Sequence, residues 1–168
     1  MGAGKTSIGK RLAERFGLEF TDVDQVVVER CGTNINAIFE HLGEAGFRER
    51  EKAAVQRVLA GTGKLVSTGG GAVLDCDSRL LMQRRGFVVY LRAGVEAQLK
   101  RLGRDRSRPL LLRGDREQVL GDLAAAREPF YQEVADLILD TDALSPGAAT
   151  SALAQLLAAQ WQRSEHVA

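Results

Sequence analysis

The sequence predicts an α/β fold in which a parallel sheet is covered by helices on both faces. Three observations lead there. Short apolar runs with strand composition alternate with amphipathic helical stretches along the chain. Gly4-Lys5-Thr6 opens the first helical stretch, as the end of a phosphate loop does where it meets a helix N-terminus. Gly69-Gly70-Gly71 follows a strand-like run, at the carboxyl end of a strand, where ligands of open parallel sheets bind.

Taken in order, residues 4–16 carry apolar positions at helical spacing and stop at Gly17, and residues 18–21 read as a short strand. Residues 25–30 are helical in pattern and end at Cys31-Gly32; a short helix covers 36–42 and a longer one 44–59, broken by Gly61 and Gly63. Residues 64–67 read as a buried strand running into the three glycines, and 78–85 as the helix after it. Residues 87–91 form the clearest strand, followed by a helix over 95–102 and an arginine-rich loop over 103–115. A helix over 117–127 is expected to stop before Pro129, which has no amide hydrogen to donate, so that Arg127 would cap its last carbonyls. A strand at 137–140 and a helix over 148–162 close the chain.

Composition bounds the function. With 168 residues, 45% of them hydrophobic and 27% charged, the chain is expected to form a single domain and not a disordered or fibrous one. The longest apolar run, 87–91, is far short of the roughly 20 residues that span a bilayer, so no membrane helix and no membrane partner are expected. No leader pattern follows Met1, which points to the cytoplasm. Cys31 and Cys76 form no paired motif, and His41 and His166 stand alone. Disulfide frameworks, thiolate metal sites and histidine-activated nucleophiles therefore have no support. Chemistry is left to carboxylates, Lys, Arg and backbone.

Residues 1–6 match the last part of the GxxxxGK[ST] phosphate loop. Gly2, Ala3 and Gly4 would bring amides to phosphate oxygens, Lys5 would reach the β- and γ-phosphates, and Thr6 would offer a hydroxyl to Mg²⁺. Asp22 and Asp24 follow the first strand two residues apart, a spacing that on extended backbone puts both carboxylates on one side. One would hold a metal ion and the other orient an attacking hydroxyl, although a cap of the next helix accounts equally well for Asp24. Arg48 and Glu51 share a helix face. The three glycines at 69–71 let a ligand approach bare amides. Between residues 100 and 116, seven basic residues face two acidic ones, a local charge of +5 against −4 for the remainder. Such a segment suits a lid over a nucleotide, and it has no aromatic side chain on which a nucleic-acid base could stack, so no nucleic-acid partner is expected.

Together, residues 2–6, Asp22-Val23-Asp24, Gly46-Phe47-Arg48 with Glu51, the glycines at 69–71, Arg108-Pro109-Leu110-Leu111 and Arg127-Glu128-Pro129-Phe130-Tyr131 resemble shikimate kinase in order and spacing over nearly the whole chain. The resemblance implies a P-loop, nucleoside-monophosphate-kinase-like fold with a five-stranded parallel sheet, a lid at about 103–115 and a substrate-binding helical segment at about 23–51. It also implies ATP and Mg²⁺ as cofactors, transfer of phosphate to the 3-hydroxyl of shikimate in aromatic amino-acid biosynthesis, and a chain acting as a monomer. By similarity Gly2, Ala3, Gly4, Lys5, Thr6 and Ser7 would hold ATP phosphates, with Thr6 and Asp22 at the metal and Arg101 and Pro146 beside adenine. Asp24 would contact the attacking hydroxyl, Arg48 and Arg127 the substrate carboxylate, Gly69, Gly70 and Gly71 the ring hydroxyls, and Arg108 the transferring phosphate. Lys5, Asp24 and Arg108 are thus the catalytic candidates. The family places a strand before the phosphate loop, central in the sheet. With Met1 read as a start set too late or the edge of a fragment, a strand-sized gap is expected between that strand's neighbours. A gluconate-type kinase, or a nucleotide-binding protein without catalysis, remains an alternative.

Overall fold

A computed structural model describes residues 1–103, 109–112 and 114–161. Its elements are α1 (Lys5–Phe16), β1 (Glu19–Asp22), α2 (Val23–Cys31), α3 (Ile35–Leu59), β2 (Lys64–Ser67), a 3-10 turn (Ala72–Leu74), α4 (Cys76–Arg85), β3 (Val89–Arg92), α5 (Val95–Leu102), a second 3-10 turn (Pro109–Leu112), α6 (Arg116–Val134), β4 (Leu137–Asp140) and α7 (Pro146–Gln160). The strands pair in parallel as β1 with β2 and β3 with β4, in the registers Asp22↔Ser67 and Arg92↔Asp140 at their carboxyl ends. Among the described residues no ladder joins β2 to β3.

Period-two alternation along the strands explains why helices lie on both faces. Leu65 of β2, Val89 and Leu91 of β3 and Leu137 and Leu139 of β4 lean on a core where Ile8 and Leu12 of α1 meet Ala149, Leu153 and Leu157 of α7. Val66 and Val88 point the other way, into a second core of Val23, Val27, Ile38, Phe47, Val55, Ala72 and Met82 supplied by α2, α3, the first 3-10 turn and α4. A third cluster, Leu102, Leu111 and Leu120 with Met1 and Leu99, ties the phosphate loop to α5 and α6. No described helix is long and apolar enough to cross a membrane.

The two helices expected at 36–42 and 44–59 lie within α3 on either side of Gly43, which leaves the helical region at φ 67° and ψ −176°. One local expectation changes: α6 does not stop before Pro129 but runs through it to Val134, so Arg127 caps nothing and lies inside the helix, 4% exposed. A proline in a helix interior costs about 3 kcal/mol. Contacts beyond it offset that cost: Val134 is buried, Tyr131 stacks on Tyr90 at 4.6 Å, and the Arg79 guanidinium lies 4.4 Å from the Phe130 ring centre.

Candidate active site

The carboxyl ends of the strands and the start of α1 meet at one end of the molecule. Gly2 and Gly4 take left-handed φ angles of 65° and 84°, conformations that a side chain disfavours, and so turn the chain into α1 with its first amides free of the helix ladder. No acidic residue sits in the first turn of α1, so nothing in that turn opposes an incoming anion. Thr6 and Ser7 are exposed beside Lys5, whereas Ala3 is buried. Arg101 of α5 fastens the loop from behind: it donates to the Gly2 carbonyl at 3.2 Å, to Thr141 Oγ1 at 3.0 Å and to the Thr141 carbonyl. Thr141 lies on the connection that leads to Ser145, the N-cap of α7, and Pro146, its first residue.

Asp22 and Asp24 differ from the expected arrangement. Asp22 is the last residue of β1 and already the N-cap of α2, its Oδ1 accepting the Asp24 amide at 3.0 Å, while Asp24 lies in the first helical turn. The two carboxylates therefore leave from a strand end and a helix turn, not from one face of a strand, and the capping residue is Asp22, not Asp24. The chain turns into a helix immediately after Asp22, which a spacing of two does not reveal. Thr6 Oγ1 donates to Asp22 Oδ2 at 3.4 Å, so the two expected metal ligands do meet.

The three glycines are packed tightly by charged side chains. A methyl group on Gly69 would overlap the Glu51 carboxylate and come within 3.0 Å of Asp24 Oδ1, and one on Gly71 would overlap the Arg48 guanidinium. On Gly70 it would lie 3.0 Å from the Tyr131 hydroxyl and 3.3 Å from Arg127 Nη1. The loop thus gathers Asp24, Arg48, Glu51, Arg127 and Tyr131, and a larger residue at Gly69 or Gly71 would have to displace the Glu51 or Arg48 side chain. A cavity of about 360 Å³ joins Gly69, Gly70, Arg127 and Tyr131 to Lys5.

Charges within this cluster are coupled. Arg48 Nη1 lies 2.6 Å from Glu51 Oε2 and its Nη2 3.1 Å from Glu44 Oε1. Burial draws the Arg48 pKa down, but the Glu51 and Glu44 carboxylates more than reverse it, and the guanidinium is held charged. Burial pushes the Glu51 carboxyl above the usual range, with Asp24 adding to the rise and Arg48 and Arg127 only partly opposing it. The pair therefore secures the cation without fully offsetting the burial of the anion, whose side chain is nearly inaccessible at 3%. Buried nitrogens Nε of both Arg48 and Arg127 and Oε1 of Glu51 have no hydrogen-bond partner among the described residues.

Of the residues singled out in the sequence, Asp24, Arg48, the three glycines and Arg127 converge on one cluster, and Lys5 opens onto the same cavity. Arg108 and residues 104–107 and 113 of the expected lid lie outside the described residues. Glu51 was legible only as half of a salt bridge. Tyr131 carried no site signal, because its position one turn after Arg127 matters only if the helix continues through Pro129.

The model of the shikimate kinase family matches residues 1–158. The chain belongs to the shikimate kinase family. A shikimate kinase of Stenotrophomonas maltophilia (strain R551-3) is 64% identical over 165 residues, which is 98% of this chain and 92% of the relative. One from Xanthomonas campestris pv. campestris (strain 8004) is 62% identical over 164 residues, covering 98% and 91% of the two. Among solved structures, a shikimate kinase from Acinetobacter baumannii in complex with shikimate superposes with a TM-score of 0.90 at 40% identity, over 96% of this chain and 91% of that one. Enzymes of the shikimate kinase family take their phosphoryl group from ATP, and the phosphate loop at Gly2–Thr6 agrees with that donor.

Proposed function

We propose that this chain transfers the terminal phosphoryl group of ATP to the 3-hydroxyl of shikimate, a step of aromatic amino-acid biosynthesis that belongs to the cytoplasm, where ATP is supplied. The observation that carries this reading is the pair of guanidiniums, Arg48 and Arg127, at a glycine loop that also touches Asp24 and shares a cavity with Lys5. A planar guanidinium is the natural bidentate partner of a carboxylate, so Arg48 and Arg127 hold the substrate's carboxylate. Bare amides and carbonyls of Gly69–Gly71 take the ring hydroxyls. Asp24, beside Gly69, orients the attacking hydroxyl and takes its proton as the bond to phosphorus forms.

Lys5 and the amides of Gly2, Ala3, Gly4, Thr6 and Ser7 hold the triphosphate, and Lys5 stabilises charge on the transferring group. Arg101 of α5, which bonds Thr141 on the connection between β4 and α7, and Pro146 at the start of α7 flank the adenine. For Mg²⁺, an oxygen-seeking ion that keeps several waters and binds through one or two carboxylates plus phosphates, the neighbouring Thr6 hydroxyl and Asp22 carboxylate are a fitting donor set. When bound, the ion supplies charge neutralisation at the phosphates. The segment at 23–51 carries Asp24, Arg48 and Glu51 to the substrate, and the basic stretch at 103–115, with Arg108, serves as the lid over the transferring phosphate. A coupled ADP-release assay with shikimate, gluconate and nucleoside monophosphates tests the reading. Turnover on shikimate is expected to dominate, and faster turnover on gluconate would reject it.

A further inference from the structure

One side chain of the cluster has no part in the chemistry above. The Tyr131 hydroxyl donates to the Gly70 carbonyl at 2.5 Å, joining α6 to the glycine loop across 61 residues of sequence. The Arg127 guanidinium, one helical turn earlier on α6, faces the same place: a methyl group on Gly70 would lie 3.0 Å from the Tyr131 hydroxyl and 3.3 Å from Arg127 Nη1. The hydroxyl thus ties the backbone that would receive ring hydroxyls to the helix that carries the guanidinium for the carboxylate. A phenylalanine ring would fill the same space without making that bond.

The ring itself is held from behind. It stacks on Tyr90 of β3 with centres 4.6 Å apart and planes inclined by 23°. The Tyr90 hydroxyl donates to Glu128 Oε2 at 2.6 Å, and Glu128 Oε1 accepts from Gln132 Nε2 at 2.9 Å. Tyr90 and Glu128 therefore hold the ring in place, and its hydroxyl is taken up by the Gly70 carbonyl. Burial keeps the Tyr131 phenol above its ordinary pKa despite the facing Arg127 cation, so it stays a proton donor to the carbonyl.

We infer that Tyr131 is a positioning residue that sets the distance between Arg127 and the Gly69–Gly71 loop, and thereby the fit of the carboxylate-bearing acceptor but not of the nucleotide. The inference rests on the proposed reaction for its substrate, and on geometry alone for the loop. The test is Tyr131→Phe in the full chain, with two readouts. Steady-state kinetics should show the KM for shikimate raised severalfold, up to about tenfold, as expected for one neutral hydrogen bond, with the KM for ATP unmoved and kcat falling less than KM rises. Separately, without any ligand, hydrogen exchange at the amides of Ala72 and Leu74, which bond to the carbonyls of Gly69 and Gly71, should quicken in the variant while that of α1 stays the same. Both Michaelis constants rising together with a lowered Tm would mean a merely structural tyrosine and overturn the inference. So would unchanged exchange at the loop. If the parent enzyme does not use shikimate, the proposed reaction fails while the exchange measurement still decides the role of Tyr131.

Discussion

Replacing Arg48 by methionine separates the two halves of the Arg48–Glu51 pair and should expose a buried carboxylate as a pH-dependent weakness. Glu51 is 2% exposed, and its Oε2 lies 2.6 Å from the guanidinium. Removing one partner of a buried pair typically costs about 3–5 kcal/mol. The Arg48 side chain retains 24% exposure, so solvent screens part of the attraction and about 2–3 kcal/mol is expected. For a domain of this size each kcal/mol lowers Tm by about 2–4 °C, giving a fall of roughly 4–12 °C. The pH dependence follows from the direction of the Glu51 shift. Its folded pKa is raised above 4.5, so the native state binds the extra proton, and the group's contribution is intact below that value and lost as pH rises through the folded pKa. Arg48→Met removes the main influence that lowers it, moving the folded pKa higher and widening that window. Calorimetric melts of parent and variant at about pH 5 and about pH 8 should show the larger difference at the higher pH. Arg48→Met combined with Glu51→Gln should recover much of the loss at the higher pH, since a neutral amide carries no buried charge. Equal losses at both pH values, or no recovery in the double variant, would refute the reasoning.

Lys5→Ala should abolish turnover with little change in Tm, because Lys5 faces the cavity and belongs to none of the three cores; steady-state rates and a melt check both halves. Asp24→Asn should lower kcat more than it weakens shikimate binding, as loss of a proton acceptor acts in the transition state, and equal effects on kcat and KM in kinetics would tell against that role. Gly71→Ala places a methyl group on the Arg48 guanidinium, so a displacement costing about 1–3 kcal/mol should appear as a raised KM for shikimate, about tenfold per 1.4 kcal/mol.

Much of the fold can be read in the sequence because local signals and tertiary packing agree. The strand at Lys64–Ser67 and the helix at Val95–Leu102 have the expected ends, and the break near residue 43 is where glycine frees the backbone. The disagreements lie where packing overrides propensity. Proline at 129 reads as a stop, yet stacking of Tyr131 on Tyr90 and burial of Val134 hold the helix together beyond it. That one misread hides the site role of Tyr131. Likewise Asp22 ends a strand and caps a helix in a single residue, so the two-residue spacing to Asp24 carries no strand geometry. Arg48, Arg127 and the glycines were legible as a set only through family resemblance, since no local pattern brings residues 48, 70 and 127 together.

The proposed transfer is tested most directly by identifying the product. With the enzyme, MgATP and shikimate, phosphorus NMR with proton coupling should show a single phosphomonoester attached to the oxygen at ring position 3, formed in step with ADP. Phosphate on another ring oxygen, or ADP released with inorganic phosphate and shikimate left unchanged, would contradict the account.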